Sequence, residues 1–222
     1  MLGMLVFTAG ILSGTLLTGG LTWAGLEAAL YGFPRYTDER LDGLSCPPLM
    51  TRGETSIVHV TLRNPSDRVV TPIIRVDLSA PGLFESSKTQ VSVAPGGSRQ
   101  LAWVISDANI VRRYFIFARV SRSPSYPLPT AEAICGTLVL DVPFLNGMQL
   151  LTLWLTLCLV CIPLGLGLWR WGLGHAHRTP GIATALAIAT LGGLIAALNG
   201  MWILGGPFLV GIILLALGLL RR

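Results

Sequence analysis

Four groups of residues in this chain of 222 have types and spacings that chemistry uses. His175 and His177 stand two apart in "WRWGLGHAHRTPG". In an extended loop both imidazoles point the same way, which suits two ligands to a surface metal. A zinc site takes three or four ligands, and that loop has no Cys, Asp or Glu, so the pair reads as solvated histidines facing headgroups. Cys158 and Cys161 in "CLVC" have the C-x-x-C spacing of redox and metal sites. They fall inside an apolar run, where a thiolate is costly and cysteine serves as a small apolar residue. Ser56, His59 and Asp77 offer a hydroxyl, an imidazole and a carboxylate, but no serine lies in a G-x-S-x-G elbow and nothing in the spacing assembles a triad. His59 reads as an exposed strand residue, and a copper site would need a second histidine beside it. The fourth group, Cys46 and Cys135, has no histidine companions and reads as a disulfide. The sequence therefore predicts no catalytic residue, no cofactor and no metal site.

The elements that carry these residues follow from composition. Charged residues make up 12% of the chain and hydrophobic ones 52%; a soluble domain carries roughly 25% charged residues, so the balance points to a membrane protein. The formal charge of +5 is not a nucleic-acid footprint. Between Pro34 and Gly147, twelve Arg and Lys face ten Asp and Glu, and the remaining Arg170, Arg178, Arg221 and Arg222 sit at the ends of apolar segments. Cytoplasmic positive charge belongs there.

A membrane crossing needs about 20 apolar residues. Residues 1–30 supply one, read as an uncleaved anchor: a signal peptide would show basic residues before a shorter apolar core. Residues 148–169 supply the second, kinked at Pro163. Residues 170–180 form a short basic loop. Residues 181–220 are twice the length of one crossing, and "NGMWILGGP" in their middle is turn chemistry, so they read as a hairpin of helices 3 and 4, the fourth beginning near Pro207. The arginines set the topology: both termini and the 170–180 loop are cytoplasmic, and residues 31–147 lie outside the plasma (inner) membrane. Tyr31, Phe33 and Tyr36 are then expected at the outer interface. No span has an ionisable residue near its centre, which argues against ion transport by this chain alone. No histidine lies in a span to ligate haem. Small residues mark helix-packing faces: Gly10 and Gly14 in the first span, and Ala185, Ala189, Gly193 and Ala197 at i+4 spacing in the third.

Residues 31–147 change period. "SIVHVTLRN" puts Val58, Val60 and Leu62 on one face and His59 on the other; "VVTPIIRVDLSA" continues with Val70, Ile74, Val76 and Leu78 inward. "TQVSV", "RQLAWVIS", "VRRYFIFARVSR" and "EAICGTLVL" follow, separated by turn clusters, which predicts an all-β sandwich. Cys46 and Cys135 lie in this oxidising exterior and are expected to pair, free thiols being the alternative. "VRRYFIFARV" is apolar on both strand faces, so Phe115 and Phe117 face either a partner protein, the membrane surface, or a covering segment of the chain itself. With its strand, N-P turn and strand in "VHVTLRNPSDRVVTPIIRVDL", followed by "VSVAPGGSRQLAWVI", the region resembles bacterial immunoglobulin-like modules. Cys46 precedes the first strand, so the antibody Cys…Trp…Cys spacing is absent although Trp103 is present. The resemblance implies a binding or scaffolding role.

The expected architecture is thus four transmembrane α-helices plus one extracytoplasmic immunoglobulin-like β-sandwich inserted between helices 1 and 2. The expected function is a non-catalytic accessory subunit of a larger membrane complex, partnered by larger membrane-protein subunits and the lipid bilayer, with no nucleic acid. One helix, an external domain and three helices also loosely resemble the permease half of some ABC export systems, which is the alternative.

Overall fold

Helix α1 runs unbroken from Leu2 to Leu30 because nothing in its backbone or side chains competes with it. No proline interrupts it, and the hydroxyls of Thr8 and Thr15 donate to the carbonyls one turn back, at 2.8 and 2.7 Å. Such back-bonding removes free polar groups from an apolar surface. A computed structural model describes residues 2–37, 39–173 and 179–220; His175, His177, Arg178, Arg221 and Arg222 lie outside the described residues. The chain divides into two compact units, Met1–Trp23 with Met148–Arg222, and Ala24–Gly147.

The first unit combines most of α1 with α2 (Gly147–Leu173), α3 (Thr179–Leu198) and α4 (Trp202–Leu220). Its core gathers Phe7 and Ile11 from α1, Cys158 and Ile162 from α2, Leu186 from α3 and Ile212 from α4. Glycine allows the closest crossing: a Cβ on Gly165 would stand 2.3 Å from the Phe7 nitrogen, so α1 and α2 touch through their backbones. Among the described residues, three helices are long and apolar enough to cross a membrane, Leu2–Leu30, Gly147–Trp171 and Gly181–Leu198. The apolar part of the fourth, Trp202–Gly218, is shorter.

The start of α4 differs from the sequence expectation by five residues. Gly200, at φ +70°, ends α3: its N–H donates to the Ala197 carbonyl, and the Met201 N–H to that of Ala196. That is the glycine-terminated cap in which the two residues after the helix satisfy its last carbonyls. The chain is then free to start a new helix at Trp202. Pro207 sits in its second turn and costs it only the bond to the Ile203 carbonyl.

Among the described residues the second unit is a sandwich of eight strands: β1 (Leu44–Ser45), β2 (Leu49–Thr51), β3 (Ser56–Arg63), β4 (Ile73–Ala80), β5 (Leu83–Gln90), β6 (Ser98–Ile105), β7 (Phe115–Arg122) and β8 (Ala131–Leu140). One sheet has the order β1-β3-β6 and the other β2-β8-β7-β4-β5, antiparallel throughout except for β2 beside β8. Val58, Val60 and Leu62 of β3 point inward, as their alternation predicts, and meet Ile74 and Val76 of β4 and Ile116, Ala118 and Val120 of β7. Burial of side chains from both sheets in shared clusters makes this a two-layer fold.

Three strands are not those expected. The predicted strand "TQVSV" is the tail of β5 plus a crossing segment, where Val91 and Val93 are buried and Val93 bridges Val70. β5 itself is an edge strand with almost every side chain exposed, so its sequence carries no apolar alternation. β1 and β2, of two and three residues, flank Cys46-Pro47-Pro48 and are too short to show a period.

Candidate functional site

The strand with two apolar faces leads into the densest part of the β-unit. Ile116, Ala118 and Val120 take the core side of β7, leaving Phe115, Phe117 and Arg119 on the outer side of the five-stranded sheet. Phe115 is 2% exposed and Phe117 0%. Their rings stack at 5.7 Å, and Tyr31 lies 4.8 Å from Phe117, Phe33 4.9 Å from Tyr31, and Phe84 5.5 Å from Phe33. Phe115 and Phe117 thus do not face a partner or a membrane surface; of the alternatives, cover by the chain itself is the one observed, with Tyr31 over Phe117. Gly136, directly opposite Phe117 in register, makes room; a Cβ there would stand 2.2 Å from the Ala24 carbonyl oxygen. The Tyr31 hydroxyl donates to the Leu83 carbonyl, and desolvation raises its pKa. Glu27 is tied to Arg112. Tyr31 and Phe33, expected at a membrane interface, thus pack on protein.

Beneath this cover lies a charge cluster that the sequence reading did not assemble. Asp77 of β4 and Arg119 of β7 are cross-strand partners, both 0% exposed. The Arg119 guanidinium donates to Asp77 Oδ2 through Nε at 3.1 Å and through Nη2. Arg75 Nε donates to Asp77 Oδ1 at 2.8 Å, and the Ser86 hydroxyl donates to the same oxygen. Burial alone would raise the Asp77 carboxyl; the bonds from Ser86, Arg75 and Arg119 together outweigh it and hold the group below the usual carboxylate range. The bond to Asp77 raises the Arg75 guanidinium in turn. The Tyr36 ring lies 4.5 Å from the Arg119 guanidinium carbon and the Phe33 ring 5.6 Å. Glu132 Oε2 stands 4.0 Å from Arg119 Nη1 and accepts the Tyr36 backbone N–H at 3.1 Å. Among the described residues, Nη1 itself has no hydrogen-bond acceptor. The cluster is sealed from solvent at both Asp77 and Arg119, and it fastens the segment through Tyr36 to the sheet.

A cleft of about 550 Å³ opens at the other end of the strands, where β3 runs out, β6 begins and β7 ends. Leu41 and Leu62, 5% and 3% exposed, belong to its lining with Arg40, Arg63 and Arg122, and among the described residues Asp42 is the one carboxylate of that lining. Arg122 is held by the Pro129 carbonyl, to which Nε and Nη2 donate at 3.2 and 2.9 Å; burial lowers its pKa, opposed by the charge of Glu39. Arg40 and Arg63 are exposed and form no ion pair or side-chain hydrogen bond with another described residue.

The other singled-out residues fall as follows. Cys46, just past β1, and Cys135, on β8, are joined by a disulfide that ties the two sheets together across 89 residues of sequence. Ser56 and His59 are on β3, while Asp77 is sealed on the far side of the other sheet, so the three never meet. Among the described residues, no three His, Cys, Asp or Glu side chains gather as a metal would require. Cys158 is buried in the helical unit, its thiol 3.5 Å from the Ser13 hydroxyl, and Cys161 is partly buried. Gly10 packs against Ile162 and Cys161, Gly14 against Thr190, and Gly193 against Phe208 and Thr18. Ala197 is buried, Ala189 partly buried against the same core as Phe7, and Ala185 exposed. Gly10, Gly14 and Gly193 thus serve contacts within the chain's own bundle.

No family model matches the chain, and no curated protein does. Solved structures match about half of it. The CARDB domain of a Pyrococcus furiosus protein, in complex with di-metal ions, is 13% identical with a TM-score of 0.36, over 48% of this chain and 100% of that one. A Paenibacillus cycloisomaltooligosaccharide glucanotransferase complexed with cycloisomaltoheptaose is 9% identical at a TM-score of 0.33, over 47% of this chain and 14% of that one. A Listeria innocua β-glucosidase in complex with gluconolactone is 18% identical at 0.31, over 49% and 17%. At such scores the architecture rests on the strand order and register described above.

Proposed function

We propose that this chain is a non-catalytic accessory subunit of a larger integral membrane complex, with four membrane helices, both termini cytoplasmic and an immunoglobulin-like β-unit outside the plasma (inner) membrane. The observation that carries the reading is the sealed state of the Asp77–Arg119 cluster. Asp77 and Arg119 are 0% exposed and bonded to each other, and they hold the chain to itself. Buried, mutually paired groups of this kind specify structure and leave nothing to turn over a substrate. The disulfide suits an oxidising exterior. The arginines beyond the β-unit suit cytoplasmic loops. Larger membrane-protein subunits are the partners of this reading.

Gentle detergent extraction from native membranes, separation on a native gel and mass spectrometry of the band test it. Co-migration with larger membrane subunits is the expected result. Migration alone or as a small homo-oligomer overturns it, and an ATPase in the band replaces it with the permease reading.

A further inference from the structure

We infer that the cleft between Arg40 and Arg63 is a docking groove for an acidic peptide segment of a partner protein. The assignment deepens the accessory-subunit reading and rests on it. Arg40 and Arg63, exposed and with no ion-pair partner among the described residues, line one concavity with the anchored Arg122, and the described lining has a single carboxylate, Asp42. Solvated arginines scattered over a convex surface would not share a cavity. Guanidinium is the group that matches carboxylates in a two-pronged way and is weakly hydrated, so it gives up water readily on contact. The partly buried Leu128 borders that charge, with the core residues Leu41 and Leu62 beneath it. An occupant must therefore carry carboxylates, with an apolar side chain to meet Leu128, as an acidic, leucine-bearing peptide does.

Two other occupants fit less well. A volume of about 550 Å³ is in the range of peptide and small-molecule sites and far exceeds an inorganic anion. Single-stranded nucleic acid is held by aromatic rings as well as charge, and the cleft lining has none. The groove also lies at the end of the strands opposite Gly147 and the last turns of α1, where the chain enters and leaves the unit.

The test uses the full chain in detergent micelles and a fluorescein-labelled decapeptide of alternating Glu and Leu, with Gln-for-Glu and Lys-for-Glu counterparts, read by fluorescence anisotropy. The Glu peptide should bind more tightly than the other two, and more weakly as salt rises. Arg40→Glu with Arg63→Glu should weaken it about tenfold, the size of two half-exposed charge contacts reversed in sign. Asp42→Lys should tighten it about threefold on the same basis, a gain that misfolding cannot imitate. Equal binding of the Glu and Gln peptides, or no response to either charge change, overturns the assignment. So does displacement of the peptide by millimolar inorganic phosphate, which would make the occupant a free anion. None of these failures touches the native-gel result, so the groove and the accessory role fail separately.

Discussion

Asp77→Asn should be the most damaging single change in the buried cluster, and worse than removing Arg119. Once residue 77 is neutral, Arg119 loses its counter-charge, and one amide oxygen cannot accept from Arg119, Arg75 and Ser86 together, each charged bond being worth about 1.5–3 kcal/mol. It keeps Glu132 at 4.0 Å and the faces of Tyr36 and Phe33. Those contacts return part of the loss, so the expected cost is about 3 kcal/mol, the low end for an orphaned buried charge. Arg119→Met leaves a different residue behind. Asp77 then still accepts from Arg75 at 2.8 Å and from Ser86, and the cost should be about half as large. Asp77→Asn combined with Arg119→Met removes both charges and should cost less than the two single losses added. Hydrogen exchange with mass spectrometry on the full chain, following peptides from β4 and β7, reads this locally. A loss of about 3 kcal/mol appears there as exchange about a hundredfold faster. Equal acceleration by Asp77→Asn and Arg119→Met, or strict additivity in the double variant, would refute the claim that Asp77 is the hub.

Three further outcomes follow from the same geometry. Because the folded Asp77 carboxyl sits below its unfolded value, its contribution is complete above the ordinary carboxylate range near about pH 4 and disappears as pH falls through the lower folded value. The stability gap between the wild type and Asp77→Asn, measured by the same exchange, should be constant from neutral pH to about 5 and close only below about 4. Gly136→Val should lift the last turns of α1 from the sheet at a cost of about 1–3 kcal/mol, seen as faster proteolysis between Ala24 and Tyr36; unchanged cleavage would contradict the 2.2 Å approach to Ala24. Breaking the Cys46–Cys135 link, which spans 89 residues, should cost the β-unit about 4–5 kcal/mol on the chain-entropy model. Alkylation without reductant should leave both cysteines unlabelled.

The legible parts of the fold are those where packing imposes a period. β3 and β4 could be read residue by residue because one face of each is core. β5 could not, because an exposed edge strand has no apolar face to write into the sequence. Asp77 and Arg119 were visible singly, an acid and a base each set in an apolar strand. Their pairing depends on β4–β7 register, and a separation of 42 residues hides it. The onset of α4 was misread for a local reason: "NGMWILGGP" holds several turn residues, and only Gly200, with its positive φ, makes the turn.

Two signals were ambiguous in the same way. A strand apolar on both faces and a helix with small residues at i+4 both report that a surface is covered, and neither reports by what. In both cases the cover is the chain itself: Tyr31, packed against Phe33, lies over Phe117, and Ile162, Thr190 and Phe208 close on Gly10, Gly14 and Gly193. The answer had partial traces in the sequence. "YGFPRY" is rich in rings just before the sandwich, but its place after an apolar helix favoured a membrane interface over the sheet it packs on. In the proposed groove the mark of a partner is charge instead. Arg40 and Arg63 carry it into one cleft, so recognition by this unit should depend on salt and on the sign of the partner's charge more than on buried area.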